Sequence, residues 1–127
     1  MISVIYISFF ALLIVRLSWN VVRLRRQKRI ALGDGGDKEL QKAIGAMENA
    51  SEYIPITMLL LAAVEINGAP LWLVHVLGVI FMIGRFMHAY GVVNRFKWRV
   101  QGMWITVFIM SALVVANLFY LPYDKII

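Results

Sequence analysis

A chain of 127 residues that is 61% hydrophobic and only 16% charged holds more apolar surface than a soluble domain of its size can bury, so lipid is its expected solvent. The absence of cysteine excludes disulfides, thiolate metal sites and a cysteine nucleophile. A net charge of +6 would suit nucleic acid, but the basic residues fall in two short blocks between apolar runs, the pattern of membrane loops, so neither a nucleic-acid partner nor a metal site is expected.

Four apolar segments follow one another along a single domain, 1–127, each near the ~20 residues needed to cross a bilayer. They do not alternate, and lipid tolerates only closed barrels and helices, so helices are expected at about 2–22, 39–66, 70–93 and 102–121. The first, "ISVIYISFFALLIVRLSW", lacks a basic start and a small-residue cleavage site, and reads as a retained span rather than a signal peptide. The loop "RLRRQKRIALGDGGDK" is basic and then glycine-rich; its acids lack the ligand spacing of a calcium loop. "NGAP" (67–70) is a tight uncharged turn, and "NRFKWRVQ" (94–101) is again basic. The positive-inside rule puts both basic loops in the cytoplasm and both termini outside, as in a bacterial inner-membrane protein. Trp19, Trp98 and Trp104 fit the inner interfacial belt, and Trp72, Tyr120 and Tyr123 the outer one.

"ENASEYIP" (48–55) puts polar groups where a lipid-facing helix would not have them. Glu48, Asn49 and Glu52 lie roughly 13–20 Å along the second helix, at 1.5 Å per residue. Arg85 and His88, three apart on the third helix, descend to a similar depth. Ionisable groups at that depth pair, face the bundle interior or mark a functional path, and a Glu52–Arg85 salt bridge fixing helix register is the plainest of these. Arg16 snorkels, Glu65 is interfacial, and Ala43, Ala46 and Ala50 form a small-residue packing stripe. Pro55 interrupts the second helix beside the cluster, and "NAS" inside a helix is not a glycosylation site. The residues alone describe a polar, partly cationic pocket open to the cytoplasm, suited to a small anion, with lipid able to supply an apolar co-substrate.

The run "RLRRQKRIALGDGGDKELQKAIGAMENASEYIP" followed by "GRFMHAYG" resembles the MAPEG family, the membrane-associated proteins in eicosanoid and glutathione metabolism, in its small bacterial branch. The likeness covers nearly the whole chain. It implies an all-α integral membrane four-helix bundle assembled as a homotrimer, with glutathione as co-substrate between neighbouring subunits. By the same resemblance Asn49 and Glu52 bind the tripeptide, Arg23 holds a carboxylate, and Arg85 lies beside His88. Arg99 is the nearest match to the arginine that stabilises the thiolate, with Arg85 second, and Tyr90 is a candidate donor to a leaving group. Gly45 stands where relatives often carry arginine, Met47 where many have a basic or polar residue, and Lys42 is one turn away.

The expected activity is a glutathione transferase or peroxidase attacking hydrophobic electrophiles or lipid hydroperoxides that enter from the bilayer. The alternative is a non-enzymatic lipid- or ligand-binding protein of the same family. A small transporter or proton relay along Glu48, Glu52, Arg85 and His88 is a third reading, and it would need an oligomer to form a pore.

Overall fold

A computed structural model describes residues 1–127 as helices and short connections, without a strand. The helices are α1 (Ser3–Lys28), α2 (Lys38–Ile66), α3 (Leu71–Val93), α4 (Phe96–Phe119) and a final turn, α5 (Tyr123–Ile126). Helices α1, α3 and α4 are long and apolar enough to cross a membrane, with mean hydropathies of 1.8, 1.7 and 2.0 over their best windows. Helix α2 is longer, at 29 residues, yet falls short on apolarity because its first half carries the charges of "KELQKAIGAMENASE".

Two boundaries differ from the expected ones, and both differences bear on the site. Helix α1 runs on to Lys28, so Arg23, Arg25 and Arg26 are helical rather than in a loop. Cations in a last turn complement the negative end of the helix dipole, which favours this extension. It stops at Arg29, whose left-handed φ of 55° lets its N–H reach the Arg25 carbonyl. Helix α4 starts at Phe96, six residues earlier than expected, because a two-residue break at Asn94 and Arg95 is enough to reverse the chain. Arg99 therefore sits in the first turn of a helix.

The α1–α2 connection is tied at both ends. Arg25 donates to the Gly33 carbonyl at 2.7 Å, and Gly33, Gly35 and Gly36 supply the positive φ of the turn. Lys28 reaches Asp37 at 2.7 Å and Glu39 at 3.1 Å. Asp37 in turn caps α2 by accepting from the Leu40 N–H at 2.8 Å. The Lys28 ammonium, and then the Leu40 N–H, hold the Asp37 carboxyl below its ordinary range.

The core runs down the middle of the bundle. Phe10 and Phe81 meet edge to face at 5.1 Å, flanked by Leu61, Val64, Val74, Ile109 and Leu113. A smaller cluster of Val21, Leu24, Leu40 and Ala43 joins the end of α1 to the start of α2. At the far end Glu65 caps α1, accepting from the Ser3 N–H at 3.0 Å and its hydroxyl at 3.2 Å. Tyr6 meets His75 Nδ1 at 2.7 Å nearby. Much of the outer surface is apolar, with Leu12, Leu59, Trp104, Phe108 and Phe119 exposed, as lipid or a neighbouring subunit requires.

Helices α3 and α4 approach at backbone distance. A Cβ on Gly102 would lie 2.6 Å from the Gly84 carbonyl oxygen and would also overlap the His88 backbone. A Cβ on Gly84 would lie 2.6 Å from Ile105 Cγ2, and one on Gly91 would overlap the Arg99 backbone. Three glycines thus set the crossing that brings His88 alongside the first turns of α4.

Candidate functional site

Asn49 of α2 and His88 of α3 converge on the start of α4. One cleft of about 470 Å³ is lined by Gln41, Lys42, Gly45, Asn49, His88 and the α3–α4 turn with Arg95, Phe96 and Arg99. A second, of about 490 Å³, is lined by Tyr53, Val100, Met103, Trp104 and Val107 together with Asn49, His88, Phe96 and Arg99. The first wall is mixed and carries three cations, and the second is mostly apolar. Asn49, His88, Phe96 and Arg99 belong to both, so the two clefts meet on these side chains.

The polar cleft is cationic. Lys42, Arg95 and Arg99 line the polar cleft, and no acid does. The N-terminus of α4 opens on it without a side-chain cap, and the N–H groups of Phe96 and Lys97 have no backbone acceptor. A helix N-terminus in that state favours negative charge. Behind the wall Arg85 is 2% exposed and His88 3% exposed. Arg85 Nε and Nη1, His88 Nδ1 and Asn49 Oδ1 are buried with no hydrogen-bond partner in the chain. The Asn49 amide nitrogen has only a weak contact, 3.7 Å to Met103 Sδ. Unpaired buried polar atoms are costly, so their grouping sets this region apart from the apolar core.

Of the expected site residues, the fold brings together Asn49, His88 and Arg99, with Arg85 one turn of α3 behind His88. It does not bring Glu52, Arg23 or Tyr90 to either cleft within one chain. Glu52 is exposed on the outside of α2, whereas Arg85 faces the core, so the purely structural alternative, a Glu52–Arg85 salt bridge, does not form within one chain. The ion pairs of the chain are those of Lys28 with Asp37 and Glu39. Arg23 is on α1, where it donates to Asn20 Oδ1 at 2.7 Å and lines a separate cleft with Arg16 and Trp19. Tyr90 is 56% exposed. Glu48 lines a third cleft, beside Arg25 and Asp34.

Gly45 borders the polar cleft, and a Cβ there would meet nothing within 4 Å. Gly45 therefore leaves open cleft volume, and Lys42 is the cation nearest to it along α2. Sequence reading missed Phe96, Gln41 and Met103 as wall residues. No local signal could have found them, because each lines a cleft only where α2 packs against the α3–α4 hairpin.

The chain is 46% identical over 127 residues, 99% of this chain and 97% of the relative, to a protein of Escherichia coli strain K12 named "Inner membrane protein YecN". The protein of that name from Escherichia coli O6:H1 strain CFT073 matches to the same extent. The sequence model of the MAPEG family matches residues 3–119, and with that near-complete coverage the chain belongs to the MAPEG family.

Proposed function

We propose that this protein is a membrane-bound glutathione-dependent transferase or peroxidase acting on hydrophobic electrophiles or lipid hydroperoxides. The observation that carries the reading is the junction of a cationic cleft with an apolar one at Asn49, His88 and Arg99. Glutathione is an anionic tripeptide with a thiol, and its acceptors are apolar. A site for the reaction must hold one partner in each kind of cleft and let them touch.

Lys42, Arg95 and the open N-terminus of α4 suit the carboxylates, and Asn49 suits the peptide backbone with its free carbonyl oxygen and amide. Arg99 faces both clefts and is the group to stabilise the thiolate. A free thiol has a pKa of about 8.5, so only a few per cent is ionised at neutral pH, and a nearby guanidinium raises that share. Attack by the thiolate on an electrophilic carbon forms the C–S bond as the leaving group departs with its electron pair. With a hydroperoxide, the thiolate takes the distal oxygen as the O–O bond breaks. The alkoxide is protonated, and a second glutathione displaces water to give the disulfide.

The remaining parts of the reading rest on family membership. All four long helices span the bilayer, with α2 shielding its polar half inside a homotrimer whose neighbouring subunits give Glu52 its partner. The basic loops face the cytoplasm of a bacterial inner membrane, as the name of the Escherichia coli relatives suggests for them.

A second reading, ligand binding without chemistry, is favoured by Gly45, which leaves the cleft without the arginine that relatives often place there. Titration of glutathione into detergent-purified protein, followed by ultraviolet difference absorbance, separates the two. The enzyme reading expects saturable binding and a thiolate band that Arg99→Ala loses. Binding without the band favours the second reading. No binding at millimolar glutathione in a folded oligomer refutes both for this thiol.

A further inference from the structure

The two clefts meet on Asn49, and its amide nitrogen has an unusual neighbour. Its one hydrogen-bond partner is the thioether of Met103, with Sδ at 3.7 Å. Met103 is on α4 and Asn49 on α2, so the pair lies between two helices of one chain, whatever covers the outside of the bundle. Sulfur is a weak acceptor, and the Met103 side chain also lines the apolar cleft beside Tyr53, Arg99 and Trp104. The chain has seven methionines, and no other has this setting. Met47 and Met82 pack on the two core clusters, and Met58 is 5% exposed beside a groove of aliphatic side chains. Met1 is at the exposed start of the chain, and Met87 and Met110 border neither cleft.

A thioether is a nucleophile toward peroxides. From this setting we propose that Met103 is a modification site, oxidised to the sulfoxide by hydroperoxides that enter the apolar cleft. The Sδ lone pair attacks the distal oxygen of the hydroperoxide. The S–O bond forms as the O–O bond breaks, and the departing alkoxide takes up the proton of the attacked hydroxyl. Sulfur is oxidised by two electrons and the hydroperoxide is reduced to its alcohol, so no other reactant is needed. The growing S–O dipole puts negative charge on an oxygen, a far better acceptor than sulfur, and the Asn49 amide is in place to donate to it. Arg99, on the same wall, is a cation for the departing alkoxide. The product sets a polar S–O group among Tyr53, Trp104 and Val107 and engages the Asn49 amide, which weakens the hold of the cleft on an apolar molecule. The proposal rests on the reading above for the entry of hydroperoxides, but the oxidation itself needs no glutathione.

The test exposes the full chain, purified in detergent without glutathione, to cumene hydroperoxide for short times. Sulfoxide at each methionine is then read by peptide mass spectrometry. Met103 is expected to oxidise at least ~5-fold faster than Met110 of the same helix, about the factor that one hydrogen bond to the forming S–O group contributes. Asn49→Leu removes the donor at nearly constant size and should bring Met103 down to the rate of Met110. Excess cumyl alcohol occupies the apolar cleft without oxidising it and should slow Met103 alone, which keeps the idea testable if that variant does not fold. Hydrogen peroxide has no apolar part and should favour the exposed Met1 instead. The oxidised protein should bind cumyl alcohol more weakly than the untreated one. Equal rates at Met103 and Met110 overturn the proposal, and so does a fast Met103 that is indifferent to Asn49→Leu or to cumyl alcohol. Selective oxidation of Met103 in a protein that binds no glutathione would support the proposal while refuting the transferase reading.

Discussion

Two helical glycines of this chain should respond in opposite directions to the same change. Gly102 faces α3 across backbone atoms, and an alanine methyl would lie 2.6 Å from the Gly84 carbonyl oxygen and against the His88 backbone. Neither obstacle is a flexible side chain, so the helices must separate. Overpacking of this kind costs about 1–3 kcal/mol, and the rigid surroundings favour the upper end. Replacing glycine by alanine within a helix returns about 1 kcal/mol of propensity, leaving Gly102→Ala about 2 kcal/mol destabilised. Gly45 meets nothing within 4 Å, so Gly45→Ala keeps the propensity gain alone, about 1 kcal/mol of stabilisation. Unfolding in mixed micelles at increasing dodecyl sulfate, followed by circular dichroism, reads both. The separation forced at Gly102 also moves His88 relative to Arg99, so ligand binding should weaken there and persist in Gly45→Ala. Equal stability of Gly102→Ala and the parent would refute the close α3–α4 crossing, and with it the geometry of the site.

Other outcomes follow from single contacts. Arg85→Met removes a buried guanidinium that has no acid partner in the chain, so it should raise stability by about 1–3 kcal/mol while weakening glutathione binding, read by unfolding and calorimetry together. A loss of stability with unchanged binding would mean that Arg85 is structural. Glu65→Gln should cost about 1–2 kcal/mol and speed amide exchange in the first turn of α1, because the Ser3 N–H and hydroxyl lose a charged acceptor. Asp37 is held below its ordinary range by Lys28, so its tie is complete above the ordinary carboxylate pKa of about 3.9 and is lost as the pH falls through the lower folded value. Exchange at the start of α2 should therefore accelerate only in strong acid, and Asp37→Asn should remove that acid dependence.

What was legible in the sequence is what depends on local chemistry. Continuous apolar runs fix the solvent and the helices, because lipid leaves the backbone no other way to satisfy its polar groups. The order of "RLR", "GDGG", "NASEYIP" and "GRFMH" points to the family. Asn49 and His88 could be named from that order and Arg99 only as the nearest match on the next helix, although the reason they lie together could not. The tertiary structure decided which polar groups face which partners. Helical phase turns Glu52 outward and Arg85 inward, and so removes a salt bridge that depth alone had suggested. The early start of α4 and the glycines at 84, 91 and 102 bring Arg99 and Phe96 to His88, which no spacing along the chain reports. Glu65 meets Ser3 across 62 residues for the same reason. A sequence carries periodicity and depth, but the rotation of each helix about its axis is settled only by what packs against it.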